Sequence, residues 1–488
     1  MVPHTTSPGP RRGHPRRPWI AAALALALVA AACSGSHGSS SATTGSTAAD
    51  GSATTVAGAT TTPATAAKFG TLDSPCGKGT AKGATDKGVT DTTITIGYGD
   101  DAGYAAAPGL DKEMSDAMKP FIKWCNDQGG INGRKVVGNY YDGKVTQVTQ
   151  AITQACNDKV FMLVGQGWVL DSGAETTRIG CKLSSIPGYT VATAAAHGPG
   201  VVQPIPNPGD QVTTSAAYQI DKLFPAAVKK AAFVFAEYPA TRETRDKAAA
   251  GFPKAGWTFQ SCDQIYNISG ESDWKPFASN LKSCGIQAVV WIGSPNPNFE
   301  NLLTAAKQVG FHPAVWYSDP NQYDASFAKW NGQNGGAGDQ VYVRMAAVPF
   351  ELADQVPAVK QYMDLVTNSG GAPALLGMQS ASAFLLWATG VKACGSNVTA
   401  GCVLQQVSTE TNWTAGGLHA PTDPGSNTGT DCGLVMHLTG TTWTKVAPVN
   451  GVFDCQSKYL VKGITTAAVT AAKLNGQRVS TEYGTYTP

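Results

Sequence analysis

Polar and aromatic side chains follow the apolar runs that read as buried strands, at the point where each run ends. In an open parallel sheet the carboxyl ends of the strands lie along one edge, and small molecules bind in the crevice there. Hydroxyl, amide, carboxylate and ring groups at this edge can hold a ligand without covalent chemistry. The sequence therefore predicts ligand contacts from Tyr104, Gln166, Trp168, Asp171, Ser172, Thr190, Thr193, Glu237, Tyr238, Ser294, Asn296 and Asn321. The same loops also contain Asp100, Asp101, Tyr189 and Asp319.

The sequence lacks motifs that would turn such groups into a catalyst. It contains no G-x-S-x-G nucleophile elbow, no H-E-x-x-H and no S-x-x-K combined with K-T-G, which argues against an exported hydrolase, the enzyme alternative. Residues 97–102 imitate a dinucleotide-binding G-x-G-x-x-A, but the acidic residue that ends the next strand, Asp142, lies far beyond the usual spacing of about 20 residues. No CxxC or HxxxH spacing indicates a metal site. We therefore expect neither catalytic residues nor a cofactor.

The charge balance argues against a polymeric partner. Lys and Arg total 36 against 34 Asp and Glu, a formal charge of +2, so no basic field for nucleic acid is present. With 488 residues, of which 42% are hydrophobic and 14% charged, the chain can form a large core in two or three domains.

The N-terminus has the pattern of an export signal. Four arginines within residues 11–17 precede an apolar run of about 14 residues, which is too short to span a bilayer core that needs roughly 20. Residues 28–33 (LVAAAC) resemble a bacterial lipobox and predict a signal peptide over 1–33 with lipidation at Cys33; ordinary cleavage after an Ala-x-Ala site is the alternative. The paired arginines leave the export route open. Residues 34–91 are expected to form a disordered tether, rich in Ser, Thr, Ala and Gly over its first half.

Cysteine usage fits an exported chain. Of 11 cysteines, Cys33 is the lipid candidate, and the even number that remains could form five disulfides. Sequence-local pairs are plausible, although spacing alone does not fix connectivity: Cys156 with Cys181, Cys262 with Cys284, Cys394 with Cys402, and Cys432 with Cys455.

From residue 92 onward, strand-length apolar runs alternate with amphipathic helical stretches. Strands are predicted at 93–98, 135–141, 160–164 and 185–189, and in a second series at 231–235, near Phe259, at 288–292, 315–317 and 341–344. Helices are predicted at about 110–126, where Pro120 should introduce a kink, and at about 377–392. The Pro- and Gly-rich stretch 204–209 separates the two series. The pattern predicts an α/β protein with two tandem units, each a parallel sheet covered by helices.

Three segments together resemble the type I periplasmic solute-binding proteins of the branched-chain amino acid type. They are residues 126–135 (NDQGGINGRK), the Tyr141-Asp142-Gly143 turn with the helix and strand after it, and residues 272–277 (SDWKPF) with the helix and strand after them. The resemblance covers about residues 92–395. It implies two Rossmann-like lobes joined by a multi-segment hinge near 204–211 and 346–350, with lobe 1 at 92–207 plus about 349–440 and lobe 2 at 208–348 plus about 441–488.

The resemblance also implies a function. A monomeric protein on the outer face of the cytoplasmic membrane would capture a small molecule between its lobes and deliver it to the permease of an ABC importer; a sensory protein of the same fold is the alternative. The loop 165–172 departs from the amino-acid-binding pattern, because Trp168 and Val169 stand where small hydroxyl residues are expected. Trp168 could stack on a ligand or pack between the lobes.

Overall fold

The computed structural model describes residues 67–293 and 295–474, with the side chains of 295, 296 and 472–474 left out of the description. The expected signal peptide, Cys33, Ser294 and the side chain of Asn296 therefore lie outside the described residues. In the described part no helix combines the length and the apolar character needed to cross a membrane.

The first described residues are folded onto the body of the protein. An antiparallel pair, β1 (Lys68–Phe69) and β2 (Leu72–Asp73), begins the chain, and the Phe69 side chain is 1% exposed with its ring 5.4 Å from that of Phe121. A disulfide joins Cys76 to Cys125. Residues 67–91, which we expected to belong to the tether, are thus ordered. The segment contains few apolar residues, so its sequence did not indicate that the Phe69 ring and the Cys76 disulfide hold it against the rest of the protein.

Lobe 1 is built on a four-stranded parallel sheet with the order β4-β3-β5-β6. Ile94 and Ile96 of β3 are fully buried, as expected when helices cover both faces of a parallel sheet. The elements of this part of the chain are β3 (Thr93–Asp100), α1 (Glu113–Asp127), β4 (Lys135–Asp142), α2 (Val148–Asn157), β5 (Leu163–Val164), α3 (Glu175–Gly180), β6 (Ser185–Ile186) and α4 (Thr193–Ala196).

A short strand, β7 (Gln211–Thr213), leads into lobe 2, whose strands β8 to β12 form a parallel sheet. Helices cover both faces of this sheet. Alternate side chains of β8 and β10 pack against α5 and α6 on one face, and the side chains between them pack in the cluster that includes α7, α8 and α9 on the other. The elements are α5 (Ser215–Leu223), β8 (Ala231–Ala236), α6 (Pro239–Gly251), β9 (Gln264–Tyr266), α7 (Lys275–Ser283), β10 (Ala288–Ile292), α8 (Glu300–Gln308), β11 (Val315–Ser318), α9 (Ala325–Gln333) and β12 (Val341–Met345).

The strand expected near Phe259 lies further along the chain, at β9. Phe259 makes a single bridge to Ala231, and its ring stacks on Phe233 with 4.2 Å between centroids. An apolar residue that packs beside a sheet gives the same local pattern as a strand that belongs to it. Helix α1 is continuous through Pro120 and begins three residues later than predicted.

The chain then returns to lobe 1 and crosses back again. Three helices complete lobe 1: α10 (Pro357–Asn368), α11 (Leu375–Cys394) and α12 (Ala400–Val407). The remaining elements are β13 (Cys432–Thr439), β14 (Thr442–Ala447), β15 (Asp454–Cys455), β16 (Leu460–Lys462) and α13 (Ala467–Leu474). Strand β13 pairs antiparallel with β12, so it belongs to the sheet of lobe 2, although the boundary expected near residue 440 places it in lobe 1.

Three crossing segments lie side by side between the lobes: the first at 201–214, the second at 346–356 and the third at 408–431. The Ala420 amide donates to the carbonyl of Ala346 at 2.8 Å, which joins the third segment to the second. The Thr422 hydroxyl donates to the carbonyl of Pro204 at 2.7 Å, which joins the third segment to the first. The cysteine-rich region after residue 394 thus supplies the middle segment of the hinge.

Five disulfides occur in the described residues, and they include all four sequence-local pairs that were considered plausible. They join Cys76 to Cys125, Cys156 to Cys181, Cys262 to Cys284, Cys394 to Cys402, and Cys432 to Cys455. Each native bridge stabilises a fold of this kind by about 2–4 kcal/mol.

A buried histidine anchors the third crossing segment to α11. The Trp413 indole N–H donates to Ser382 Oγ at 2.9 Å, and that hydroxyl lies 2.9 Å from His419 Nε2. His419 Nδ1 lies 2.8 Å from the carbonyl oxygen of Ala420, so we assign the proton to Nδ1 and the acceptor role to Nε2. The imidazole is 3% exposed, and this burial lowers the pKa of His419 to about 4.

This pKa predicts that His419 contributes a loss of stability in mild acid. Because the folded chain keeps His419 neutral while the unfolded chain takes up a proton below about pH 6.5, this residue alone should lower the free energy of unfolding by up to about 3 kcal/mol between pH 6.5 and 4. The buried Asp171 carboxyl, whose pKa is raised to about 8, acts in the opposite direction, so the test is the difference between two proteins. Urea unfolding across the range should show that His419→Gln changes the slope of the profile by the His419 contribution. An unchanged slope in the variant would contradict the assignment.

Candidate functional site

A cavity of about 360 Å³ lies between the lobes. Its walls come from loops at the carboxyl ends of strands in both sheets, from α6, from the start of α11 and from all three crossing segments. Pockets that hold small molecules in proteins have volumes of about 300–1,000 Å³. The cavity therefore has the place and the size of a site for a small ligand.

Four of the predicted residues line this cavity: Tyr104, Thr190, Tyr238 and Asn321. Tyr104 and Thr190 come from lobe 1, and Tyr238 and Asn321 come from lobe 2. The Thr190 hydroxyl donates to Gln203 Oε1 at 2.5 Å, which fixes its orientation. Contact of these four side chains with a ligand remains a prediction.

Trp168 does not line the cavity, which corrects the expectation that it meets the ligand there. Its indole is 4% exposed and packs in an apolar cluster with Tyr141 and Ile152. A Cβ atom on Gly143 would lie 2.4 Å from this indole and one on Gly99 would lie 3.0 Å away, so two glycines make room for it. Trp168 is a packing residue, but it packs inside lobe 1 and not between the lobes as the alternative expectation had it.

Asp171 and Gln166 are also buried behind the cavity wall and do not line it. Asp171 accepts hydrogen bonds from the amides of Val191 (2.7 Å) and Ala192 (3.1 Å), and burial raises its pKa to about 8. Gln166 Nε2 donates to Ser185 Oγ at 2.6 Å. Asp171 thus positions the loop that carries Thr190 and Val191 to the cavity, although it does not itself face the space.

The other predicted residues lie elsewhere. Ser172 and Glu237 are exposed, and Glu237 pairs with Arg242 on the surface. Thr193 is buried outside the cavity, where its amide donates to Glu243 Oε2 at 2.7 Å. Ser294 and the Asn296 side chain lie outside the described residues.

Lobe 1 contributes one carboxyl group that sequence reasoning missed. Asp111 lines the cavity and accepts from the Tyr189 hydroxyl at 2.7 Å, and burial raises the pKa of Asp111 well above its usual range. Its backbone is left-handed, with φ of 58°, a conformation that Asp adopts more readily than most residues. The sequence placed Asp111 inside a helix that begins only at Glu113, so its loop position was hidden.

Lobe 2 contributes an ion pair at the end of β12. Arg344 Nη2 and Nε lie 2.7 Å and 2.8 Å from the same oxygen of Asp319, and both residues line the cavity. Asp319 was expected in the loop after β11. Arg344 was missed because it lay inside a predicted strand, and nothing in its local pattern shows that its side chain reaches the cavity.

Lys247 of α6 is the second cationic group in the wall that sequence reasoning missed. Its side chain is buried, and Nζ donates to Asn207 Oδ1 at 2.8 Å and to the carbonyl of Pro208 at 3.1 Å. Removal of the ammonium from water lowers the pKa of Lys247 to about 8. Asn207 also donates to the carbonyl of Thr190 at 2.9 Å, so one amide side chain connects lobe 1, the first crossing segment and lobe 2.

Within the described ranges, no group of three or more His, Cys, Asp or Glu side chains is arranged to hold a metal ion. The cavity offers hydrogen-bonding groups and apolar walls from both lobes, and two cations from lobe 2. Fold and cavity together define a two-lobed protein that binds a small solute.

A family model described as periplasmic binding protein matches residues 93–442. The chain belongs to this family. It is a solute-binding protein of the ABC-transporter type and not an enzyme, and membership implies an extracytoplasmic location. No curated protein sequence matches the chain.

Solved structures of type I periplasmic binding proteins share the fold. A fatty acid ABC transporter substrate-binding protein from Thermomonospora curvata has a TM-score of 0.62 at 17% identity, with 77% of this chain and 95% of that chain covered. The leucine-binding protein LivK from Thermotoga maritima has a TM-score of 0.60 at 15% identity, covering 73% and 98%. A solute-binding protein from R. palustris in complex with 4-hydroxybenzoate has a TM-score of 0.61 at 12% identity, covering 75% and 97%. At these identities the likeness is one of fold.

The bond from Thr193 to Glu243 joins the two lobes directly, and it predicts a local dynamic effect. Thr193 begins α4, so its amide has no acceptor within the helix. Glu243→Ala should speed hydrogen exchange of this amide by roughly tenfold or more, the size expected for a bond to a charged acceptor.

Glu237→Ala is the matched control, because Glu237 is an exposed glutamate of lobe 2 whose partner is the surface residue Arg242. Exchange at Thr193 in this variant should equal that of the unaltered protein. Equal acceleration in both variants would show that the bond does not hold the lobes together.

Proposed function

We propose that this protein is the lipid-anchored capture subunit of an ABC importer, which binds a small molecule between its lobes and presents it to a membrane permease. The observation that carries the proposal is the cavity itself, whose walls come from both lobes and from the crossing segments. A ligand in this space touches both halves of the protein at once.

The mechanism is a shift in population between open and closed arrangements of the lobes. A ligand stabilises the closed arrangement only by its higher affinity for that arrangement, and contacts from both lobes supply this difference. Tyr104 and Thr190 on one side and Tyr238 and Asn321 on the other would make those contacts. The closed surface is then what the permease recognises.

The similar structures do not identify the ligand of this protein. The names of the similar structures mention fatty acid transport, leucine binding and 4-hydroxybenzoate, three chemically different solutes on one fold. The chemistry of this cavity therefore has to decide the ligand class.

The sequence before the described fold supports a tethered receptor. Residues 34–66 separate Cys33 from the first described residue and consist largely of Ser, Thr, Ala and Gly. This composition is the basis for expecting a tether here, and a Gly- and Ser-rich random coil of the same number of residues has a root-mean-square span of about 30 Å. Such a tether would let the folded part reach a permease in the same membrane.

Ligand binding is tested by thermal unfolding of a soluble form that begins after Cys33. The form is screened against amino acids, sugars, nucleosides, aliphatic acids and aromatic acids. A true ligand at 100 times its dissociation constant should add about 2.7 kcal/mol to the stability of the native state. Failure of every compound, together with no small molecule released on denaturation, would contradict the proposal.

Lipidation is tested by the mass of the mature N-terminus isolated from bacterial membranes. The expected N-terminal peptide starts at Cys33 and carries a diacylglyceryl group, and the Cys33→Ala variant should lack this lipid. A mature chain that starts at another residue and carries no lipid would contradict the proposed lipid anchor.

A further inference from the structure

The cavity extends from the cleft into the body of lobe 2, along α6. Thr241, Thr244 and Ala248 of this helix and Phe252 just after it all line the cavity. Their spacing of three and four residues places them on one face. At 1.5 Å per residue this lining runs for about 16 Å. Because α6 starts at the carboxyl end of β8, the lining leads away from the cleft.

The far part of the cavity, here called the inner branch, is lined mainly by apolar side chains. Its walls include Val212, Ala216, Ala248, Phe252 and Val290. Four of these five are fully buried members of the apolar cluster between α5, α6 and the sheet, and Val212 packs against that cluster. An alkyl or aryl group matches the inner branch best, since a polar group among these apolar side chains would lose hydrogen bonds to water.

The cation beside the inner branch, Lys247, has only neutral acceptors. An ammonium group has three N–H donors, and the contacts to Asn207 and Pro208 use two of them. In the described part of the chain no carboxylate lies within ion-pair distance of Nζ. Three carboxylates act on Lys247 from beyond that distance: Glu243, which accepts from the amide of Thr193, Asp319, which accepts from Arg344, and Asp210.

A second donor lies in the same wall. Gln211 is 3% exposed and lines the cavity, and its Oε1 accepts from the Gly429 amide at 3.3 Å. No described group accepts from its Nε2. A buried donor without an acceptor costs about 1–3 kcal/mol, so an acceptor oxygen supplied by the ligand would be favourable here.

The wall of lobe 1 does not offer a matching site for an ammonium group. Its cavity-lining carboxyl, Asp111, already accepts from Tyr189, and burial favours the neutral form of Asp111. The neighbouring wall residues Leu110, Val145 and Val169 are apolar. A zwitterionic amino acid would therefore find no good partner for its charged amine in the wall of lobe 1.

We propose that the ligand is an amphiphilic monocarboxylate, with its carboxylate bonded to Lys247 and Gln211 and its alkyl or aryl body in the inner branch. This inference rests on the proposed function, because it names the class of solute that the same cavity captures. No bond is made or broken in the ligand.

The test is calorimetric titration of the soluble protein with octanoate, with octanol and with leucine. Octanoate should bind about tenfold or more tightly than either of the other two, the factor expected for a hydrogen bond to a charged donor. Lys247→Met should weaken octanoate binding about tenfold more than it weakens octanol binding, because only the carboxylate loses a charged donor. Tighter binding of leucine than of octanoate, or full octanoate affinity in Lys247→Met, would overturn the proposal.

The inner branch is tested separately, because loss of Lys247 also removes its bonds to the first crossing segment. Ala248→Leu fills part of the branch and should weaken octanoate binding about tenfold, by displacement of apolar contacts. Ala250→Leu is the control, since Ala250 lies exposed on the same helix and should leave affinity unchanged. Equal affinities in the two variants would show that the ligand does not use the branch.

Mass analysis of molecules released from the denatured protein distinguishes a failure of the proposed ligand class from a failure of the proposed capture function. Release of an amphiphilic carboxylate supports both proposals. Release of an amino acid or a sugar leaves the capture function intact and overturns the ligand class. If no small molecule is released and no compound binds, octanoate included, the capture function itself fails.

Discussion

Chain segments that pass between two lobes beside a cavity lie largely outside the two main sheets, so most of their buried polar groups need partners outside those sheets. This constraint shapes the centre of the protein. Gln203 in the first crossing segment accepts from the Thr190 hydroxyl and donates to Asn427 in the third segment at 2.9 Å. Asn427 in turn donates to the carbonyl of Ala196 at 3.1 Å. The network ties one loop of the cavity wall to two of the three segments about which the lobes would move.

Charged groups in the cavity wall also have partners in neighbouring segments or in the other lobe. Arg344 has its counter-ion on a neighbouring strand end, and the Glu243 carboxylate has a backbone donor from the other lobe. Lys247 differs, because a buried cation with neutral partners is stable only as long as those partners stay in place. Lys247 bonds to Asn207 and Pro208 of the first crossing segment. A ligand that moves the Lys247 ammonium group would therefore also move this segment. Ligand recognition and hinge geometry therefore share one side chain.

Much of the scaffold could be predicted from the sequence, because buried parallel strands leave continuous apolar runs. The strand predicted at 288–292 has the same limits in the structure, and the predicted helix at 377–392 is the core of α11. The predictions that were wrong concern segments whose structure depends on partners that are distant in sequence. Strand β13 gives the same local signal whichever sheet it joins, and the ordered segment 67–91 depends on a disulfide to α1.

The candidate site was less predictable for the same reason. Loops at strand ends were located correctly, but the direction of each side chain depends on its neighbours. Trp168 points inward because Gly99 and Gly143 lack side chains, and the effect of those glycines is visible only once β3 and β4 are paired. Lys247 and Arg344 lie within regular elements, so a search restricted to loops misses them.

The central claim is that one small molecule is held by both lobes at once. The most direct measurement is a crystal structure of the protein with the molecule that it releases on denaturation. The account predicts electron density in the cavity, with contacts to Thr190 or Tyr104 on one side and to Tyr238 or Lys247 on the other. Density that touches a single lobe, or that lies outside the cavity, would contradict it.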